Sequence, residues 1–276
     1  MAEPEKLWGS WTVEDFRKGS RARVEEAVLE WLLTLKPATC RKRCTIMRAA
    51  FRHAWKYEMI ERSQEPFFEL PPSGPPRERV IDPVNELPRL LKEFDRAPSH
   101  LRYAGYLMLI TGQRVGAILS LKWEHVDFEK RVIFFRETEA PEERSKKRRV
   151  NQPLDATLFA LLTEAKARAT SDSVIEWNGR GCKTIYAAFK KILKRAGVGD
   201  SRLHDLRRTS ATLVFNGLGG NLARAAGHLG DTEAMADAVY VQRSAAVNLP
   251  GIEAVSAVIA SARKVGSAVT HAGYVT

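Results

Sequence analysis

A cluster of prolines constrains this chain more than any other feature. Seven of its thirteen prolines fall in P-F-F-E-L-P-P-S-G-P-P-R-E-R-V-I-D-P-V-N-E-L-P, residues 66–88. Each fixes its own φ and removes a backbone donor, so neither a continuous helix nor a central strand can cross the stretch. The expectation is an extended connection between two separately folded parts: a helical domain over 1–65, a linker over 66–84 and a larger domain over 85–276. At roughly 150 residues per domain, 276 residues suffice for two cores without disulfides or a structural metal.

Periodicity assigns the elements on either side. Arg21 to Leu35 reads as a helix with Val24, Val28, Trp31 and Leu32 on one face, and Pro37 to Ile60 as a second with a stripe of Met47, Ala50, Phe51, Ala54 and Trp55. Beside that stripe run Arg41, Arg48, Arg52 and Lys56. Lys36 to Lys56 holds seven Lys and Arg and no acid, whereas a merely solvated face mixes signs, so these four are expected to contact phosphates. After the linker, Glu86–Arg96, His100–Thr111 and Val115–Lys122 read as helices, with Gly112 at a sharp turn. Val126–Asp127, Val132–Arg136 and Arg149–Leu154 read as short strands, and helix is expected from Asp155 to about Ala262. The fold class is mainly α with a small antiparallel β-sheet, an α+β arrangement.

Charge narrows the partner. Lys and Arg total 44 against 33 Asp and Glu, a net +11, which points to a polyanion, with nucleic acid foremost. A 44% hydrophobic, 28% charged composition is that of a globular chain and excludes disordered, collagen-like and coiled-coil classes. Apolar stretches break well before 18 residues, so no membrane-spanning helix is expected, and Met1 to Trp8 lacks the pattern of a secretion signal, so a cytoplasmic protein is expected. Three cysteines fit a reducing compartment. Cys40 and Cys44 share a helix face without further ligands nearby, so buried free thiols are expected and no metal.

Three segments carry chemistry: T-G-Q-R-V-G-A-I-L-S-L-K-W-E-H-V-D (Thr111–Asp127), H-D-L-R-R-T-S-A-T-L (His204–Leu213) and A-M-A-D-A-V-Y-V-Q (Ala234–Gln242). In this order and spacing they resemble the tyrosine recombinase (phage integrase) family over nearly the whole second half. The resemblance places the first catalytic arginine on Arg114, the His-x-x-Arg pair on His204 and Arg207, and the nucleophile on Tyr240; Tyr274 has no motif around it. It also implies a hairpin lysine that protonates the leaving oxygen. E-E-R-S-K-K-R-R offers Lys146 and Lys147; Lys146 is favoured.

The residue types suit transesterification at a phosphodiester. Guanidinium forks match the nonbridging oxygens, on which charge grows, better than an ammonium does. A phenol titrating near 10 needs cations or a base to attack. His204 can accept its proton or hydrogen-bond the phosphate. Arg208 is read as a neighbouring phosphate contact or a surface charge, outside the site.

Two departures stand out. Where the family has a histidine or tryptophan nine positions before the nucleophile, this chain has Asp231; His228 would need a shifted register. Asp231 is expected to N-cap the helix bearing Tyr240. A carboxylate about 6 Å from the phosphate would repel it by about 3 kcal/mol at an effective dielectric near 20, so slowed or lost catalysis is the alternative. The helical module before the linker is also shorter than is usual in the family.

The resemblance therefore implies a DNA recombinase or integrase that cuts and rejoins through a 3′ phosphotyrosine, without cofactor, metal or nucleotide, on double-stranded DNA. It further implies a homo-oligomer, a tetramer, on that DNA. A C-terminal apolar stripe, Ile252, Val255, Val258 and Ile259, is expected to pack between protomers or on its own domain. Two alternatives stay open: a family member that binds DNA without cutting, and a type IB topoisomerase-like activity.

Overall fold

The chain forms two compact units, Met1–Pro76 and Arg77–Thr276. The computed structural model describes residues 12, 20–64, 69–72, 77–135 and 149–237. Lys146, Lys147, Tyr240, Tyr274 and the C-terminal stripe lie outside them.

The first unit pairs α1 (Ser20–Thr34) with α2 (Pro37–Lys56). Its small core is Ala27, Val28, Trp31, Cys40 and Cys44, with Met47 and Phe51 packed against it. The buried stripe of α2 is thus Cys40, Cys44, Met47 and Phe51, rotated from the expected one. Ala50 and Trp55 are exposed, and on α1 Leu32 is too. The two thiols are free and buried as expected, and burial pushes the Cys44 thiol up. Helix α2 stops at Lys56 rather than Ile60, because Tyr57 leaves helical geometry and Glu58 takes a left-handed φ of 57°.

The second unit is built around α4 (Ser99–Thr111), which packs on α3 (Leu87–Asp95), α5 (Val115–Leu119), α6 (Ala156–Ala167) and α8 (Leu203–Gly217). α3 also meets α7 (Tyr186–Arg195), and α8 meets α9 (Leu222–Leu229), which is followed by the single turn α10 (Glu233–Met235). At Gly105 of α4 an added Cβ would stand 2.9 Å from the Phe94 ring, so only glycine lets α3 and α4 approach this closely. Ile81, in the stretch expected to be linker, is fully buried, and its amide donates to Thr209 Oγ1 at 3.0 Å.

A three-stranded antiparallel sheet joins β1 (Val126–Asp127), β2 (Val132–Ile133) and β3 (Gln152–Pro153), with Val126 opposite Ile133 and Ile133 opposite Gln152. The strands are shorter than their β-rich sequences suggest, and α5 ends at Leu119, not Lys122. Helix does not run unbroken from Asp155. A hairpin of β4 (Glu176–Trp177) and β5 (Arg180–Gly181) interrupts it, turning through Asn178 and Gly179 at φ of 50° and 73°. Such an Asn-Gly turn matches the twist of the flanking strands. No described helix is long and apolar enough to cross a membrane, and no metal-binding group of His, Cys, Asp or Glu occurs among the described residues.

Candidate active site

Arg114 reaches the site because α4 must end just before it. Gly112 adopts φ of 61°, closes α4 with a bond from its amide to Met108 O at 3.1 Å, and redirects the chain so that Arg114 precedes α5 in extended geometry. An added Cβ at Gly112 would stand 2.7 Å from Leu229 Cδ2. Gly112→Ala therefore combines left-handed strain with overpacking and should lower stability by about 2–4 kcal/mol. Gly116→Ala, with nothing within 4 Å of the new Cβ, should cost nothing. Chemical denaturation of both variants checks this; equal midpoints would contradict it.

Helix α8 supplies the other two groups. His204 and Arg207 lie three apart, one turn, at its amino-terminal end. Asp205 fixes that end: Asp205 Oδ2 accepts from the Arg202 amide at 2.9 Å, and the same carboxylate pairs with Arg77 at 3.0 Å and Arg208 at 2.7 Å. Arg208 is therefore a buried structural partner of Asp205, neither a surface charge nor a phosphate contact. Arg207 is only 2% exposed and donates to Gly112 O at 2.6 Å and Leu229 O at 3.1 Å. Arg114, His204 and Arg207 line one pocket of about 150 Å³ with Gln113, Val115 and Tyr186.

Asp231 does not cap the helix that begins after it. Thr232 does so, accepting from the Met235 amide at 3.3 Å. Gly230 ends α9 at φ of 73°, and the turn that follows aims the Asp231 carboxylate at the arginines. Arg114 Nη2 stands 2.7 Å from Asp231 Oδ1, and Arg207 Nη2 donates to Asp231 Oδ2. The carboxylate, 10% exposed, bridges two guanidinium groups, one oxygen to each.

His228 has a different task. Its Nε2 lies 3.0 Å from Ser210 Oγ, and its carbonyl accepts from Gln113 at 3.4 Å and Gln152 at 2.9 Å, which ties β3 and the turn after α4 to the end of α9. Sequence reasoning missed Gln113, Gln152 and Tyr186. Gln113 sat in view at the variable position of Thr-Gly-x-Arg.

Two histidines around the arginines are held neutral. Burial, then the charge of Arg207, pushes both His204 and His228 below the ordinary imidazole range. The unfolded chain takes up these protons near pH 6.5 while the folded one resists, so stability should fall as pH drops below about 6.5 and level off only below the depressed values. Thermal melts from pH 7.5 to 5.5 check the slope; His228→Asn should flatten it, and a melting temperature indifferent to pH would contradict it.

On α2, Arg48, Arg52 and Lys56 follow the basic face, Arg52 and Lys56 exposed. Arg41 differs, because its guanidinium donates to Pro71 O at 2.8 Å within the same unit.

Comparison with known proteins places this geometry. An integrase/recombinase assigned in Haemophilus influenzae is 26% identical over 201 residues, covering 70% of this chain; the chain spans 63% of that relative's length. Among solved structures, the Tn1549 transposon integrase in complex with transposon right end DNA superimposes with a TM-score of 0.65 at 17% identity, over 85% of each chain. A lambda integrase tetramer bound to a Holliday junction gives 0.61 at 19% identity, over 78% of this chain and 63% of that one. These likenesses establish the fold. The sequence pattern of the phage integrase family matches residues 83–230, more than half of the chain, and takes in Arg114, His204 and Arg207 together: the chain belongs to the phage integrase family.

Proposed function

We propose that this chain is a DNA strand transferase, a site-specific recombinase or integrase that cuts and rejoins DNA through a 3′ phosphotyrosine on Tyr240. The observation that carries the reading is the pairing of Arg114 and Arg207. Two guanidinium groups from segments far apart in sequence converge on a single oxyanion, beside a histidine held neutral in the same pocket. That is the equipment a phosphoryl transfer needs. The Tyr240 phenol oxygen attacks phosphorus and its proton passes to His204. The bond from phosphorus to O5′ breaks, and O5′ takes a proton from Lys146, with Lys147 as its neighbour. One phosphodiester is exchanged for another, so rejoining the 5′ hydroxyl needs no nucleotide.

The DNA-bound states of the lambda and Tn1549 integrases support double-stranded DNA as the partner, and the lambda tetramer supports a homo-tetramer on it. Residues 1–65 act as a shortened clamp, 66–84 as linker and 85–276 as the catalytic part. In the clamp, Arg41, Arg48, Arg52 and Lys56 meet phosphates. Neutralising all four should reduce the magnitude of the salt slope of DNA binding by about 3 to 4, since each neutralised phosphate contributes about 0.9. Arg41, already bonded to Pro71 O, should contribute least. An unchanged slope would place α2 away from the duplex.

The deciding experiment incubates the chain with a nicked half-site from its host element and scores a covalent protein–DNA adduct. One specific observation favours a second reading, a member that binds DNA without cutting: the carboxylate of Asp231 sits between the two arginines. Tight binding with no adduct would select it.

A further inference from the structure

We propose that Asp231 is a built-in competitor for the phosphate seat: its carboxylate takes the place between Arg114 and Arg207 that a phosphodiester must occupy, and so sets how tightly the site holds DNA phosphate. The proposal rests on the strand-transfer reading for the identity of the ligand. The competition itself rests on the geometry.

Each carboxylate oxygen is engaged by a different guanidinium, Oδ1 by Arg114 at 2.7 Å and Oδ2 by Arg207. Two nonbridging phosphate oxygens would need those same Nη2 donors. The charge count agrees. Two guanidinium groups offer +2 to a phosphodiester, and the carboxylate reduces this to +1 in a partly buried setting where charges are less screened than in bulk water. An incoming phosphate must therefore displace Asp231 or bind against it.

Positioning Arg207 does not require the carboxylate. Its Nη1 already donates to Gly112 O, and its Nη2 donates to Leu229 O as well as to the carboxylate. Nor is Asp231 committed to a helix, since α9 ends at Gly230 and α10 is capped by Thr232. Its backbone amide donates to Ala226 O at 3.1 Å. The residue stands on the turn between the two helices, where its side chain can yield while both helices keep their caps.

The test compares the full chain with Asp231→Asn, which keeps the shape and removes the charge. The probe is inorganic phosphate, titrated by calorimetry. The Asn chain should bind it at least about tenfold more tightly than the natural chain, the scale of one charge-assisted hydrogen bond regained. Adding Arg114→Ala to it should erase the gain. Equal or weaker binding by the Asn chain overturns the proposal and leaves Asp231 a merely structural tie. If the Asn chain does not fold in phosphate-free buffer, refolding it across a phosphate series decides: recovery at millimolar phosphate supports the proposal, and no recovery overturns it. A parallel arm scores covalent adducts on nicked duplex DNA. Gained phosphate affinity with no adduct from either chain sinks the strand-transfer reading and keeps the competitor; adducts with unchanged affinity do the reverse.

Discussion

Tyr240→Phe should abolish covalent capture of DNA while leaving noncovalent affinity within about twofold, because one hydroxyl removed from a broad, phosphate-dominated contact changes little in binding. The chain has six tyrosines. Tyr57 lies in the first unit. Tyr103 and Tyr106 direct their hydroxyls to Glu164 at 3.2 Å and Asp95 at 2.9 Å, and burial pushes the Tyr106 phenol up to about 12, the wrong direction for a nucleophile. Tyr186 lines the pocket with Arg114, His204 and Arg207, which makes it the rival to exclude; Tyr274 has no motif around it. Adducts are scored on a denaturing gel for Tyr240→Phe, Tyr186→Phe and Tyr274→Phe. Survival of the adduct in the first with loss in either of the others would move the nucleophile. The expected pattern is loss in Tyr240→Phe alone.

Arg114 and Arg207 were legible in sequence because each is tied to a local necessity. Arg114 follows Thr-Gly since a helix must stop there, and only glycine tolerates both φ of 61° and the closeness of Leu229. His204 and Arg207 are one turn apart on a helix whose start is fixed by Asp205. Asp231 was misassigned because a cap is a local property and its true partners are not: Arg114 is 117 residues away and Arg207 24, and neither separation leaves a periodicity to find. Thr232, one position on, satisfies the cap equally well. The rotated stripe on α2 arose from treating Cys40 and Cys44 apart from the apolar residues, although they are its most buried members. The β4–β5 hairpin carried a readable Asn-Gly signal, but each strand has two residues, too few for alternation to show. Arg208 illustrates the same limit. Beside Arg207 it looks like a twin, yet a helix points neighbours about 100° apart, and this one turns inward to Asp205.

Arg207→Ala should be the most damaging single substitution in the second unit, for stability as well as chemistry. The side chain is 2% exposed, and its guanidinium bonds Gly112 O, Leu229 O and Asp231, joining the end of α4, the end of α9 and the turn before α10. Removing it leaves two carbonyls and a carboxylate without that donor in a buried setting. Breaking a buried pair by deleting one partner costs about 3–5 kcal/mol, a large share of the 5–15 kcal/mol that holds a typical domain together. For a unit of this size a fall in melting temperature of roughly 10 °C follows. Arg114→Ala separates the two roles, because Arg114 is 26% exposed and its ion pair with Asp231 is the more solvated one. It should cost about 1 kcal/mol of stability yet lose adduct formation as completely, since the transition-state charge needs both forks. Arg207→Lys should fold better than the Ala variant and still fail to cut, because a point charge does not reproduce the fork. Melting curves and adduct assays on the three variants check this; an Arg207→Ala chain that melts with the natural one would remove Arg207 from the framework that holds the second unit together.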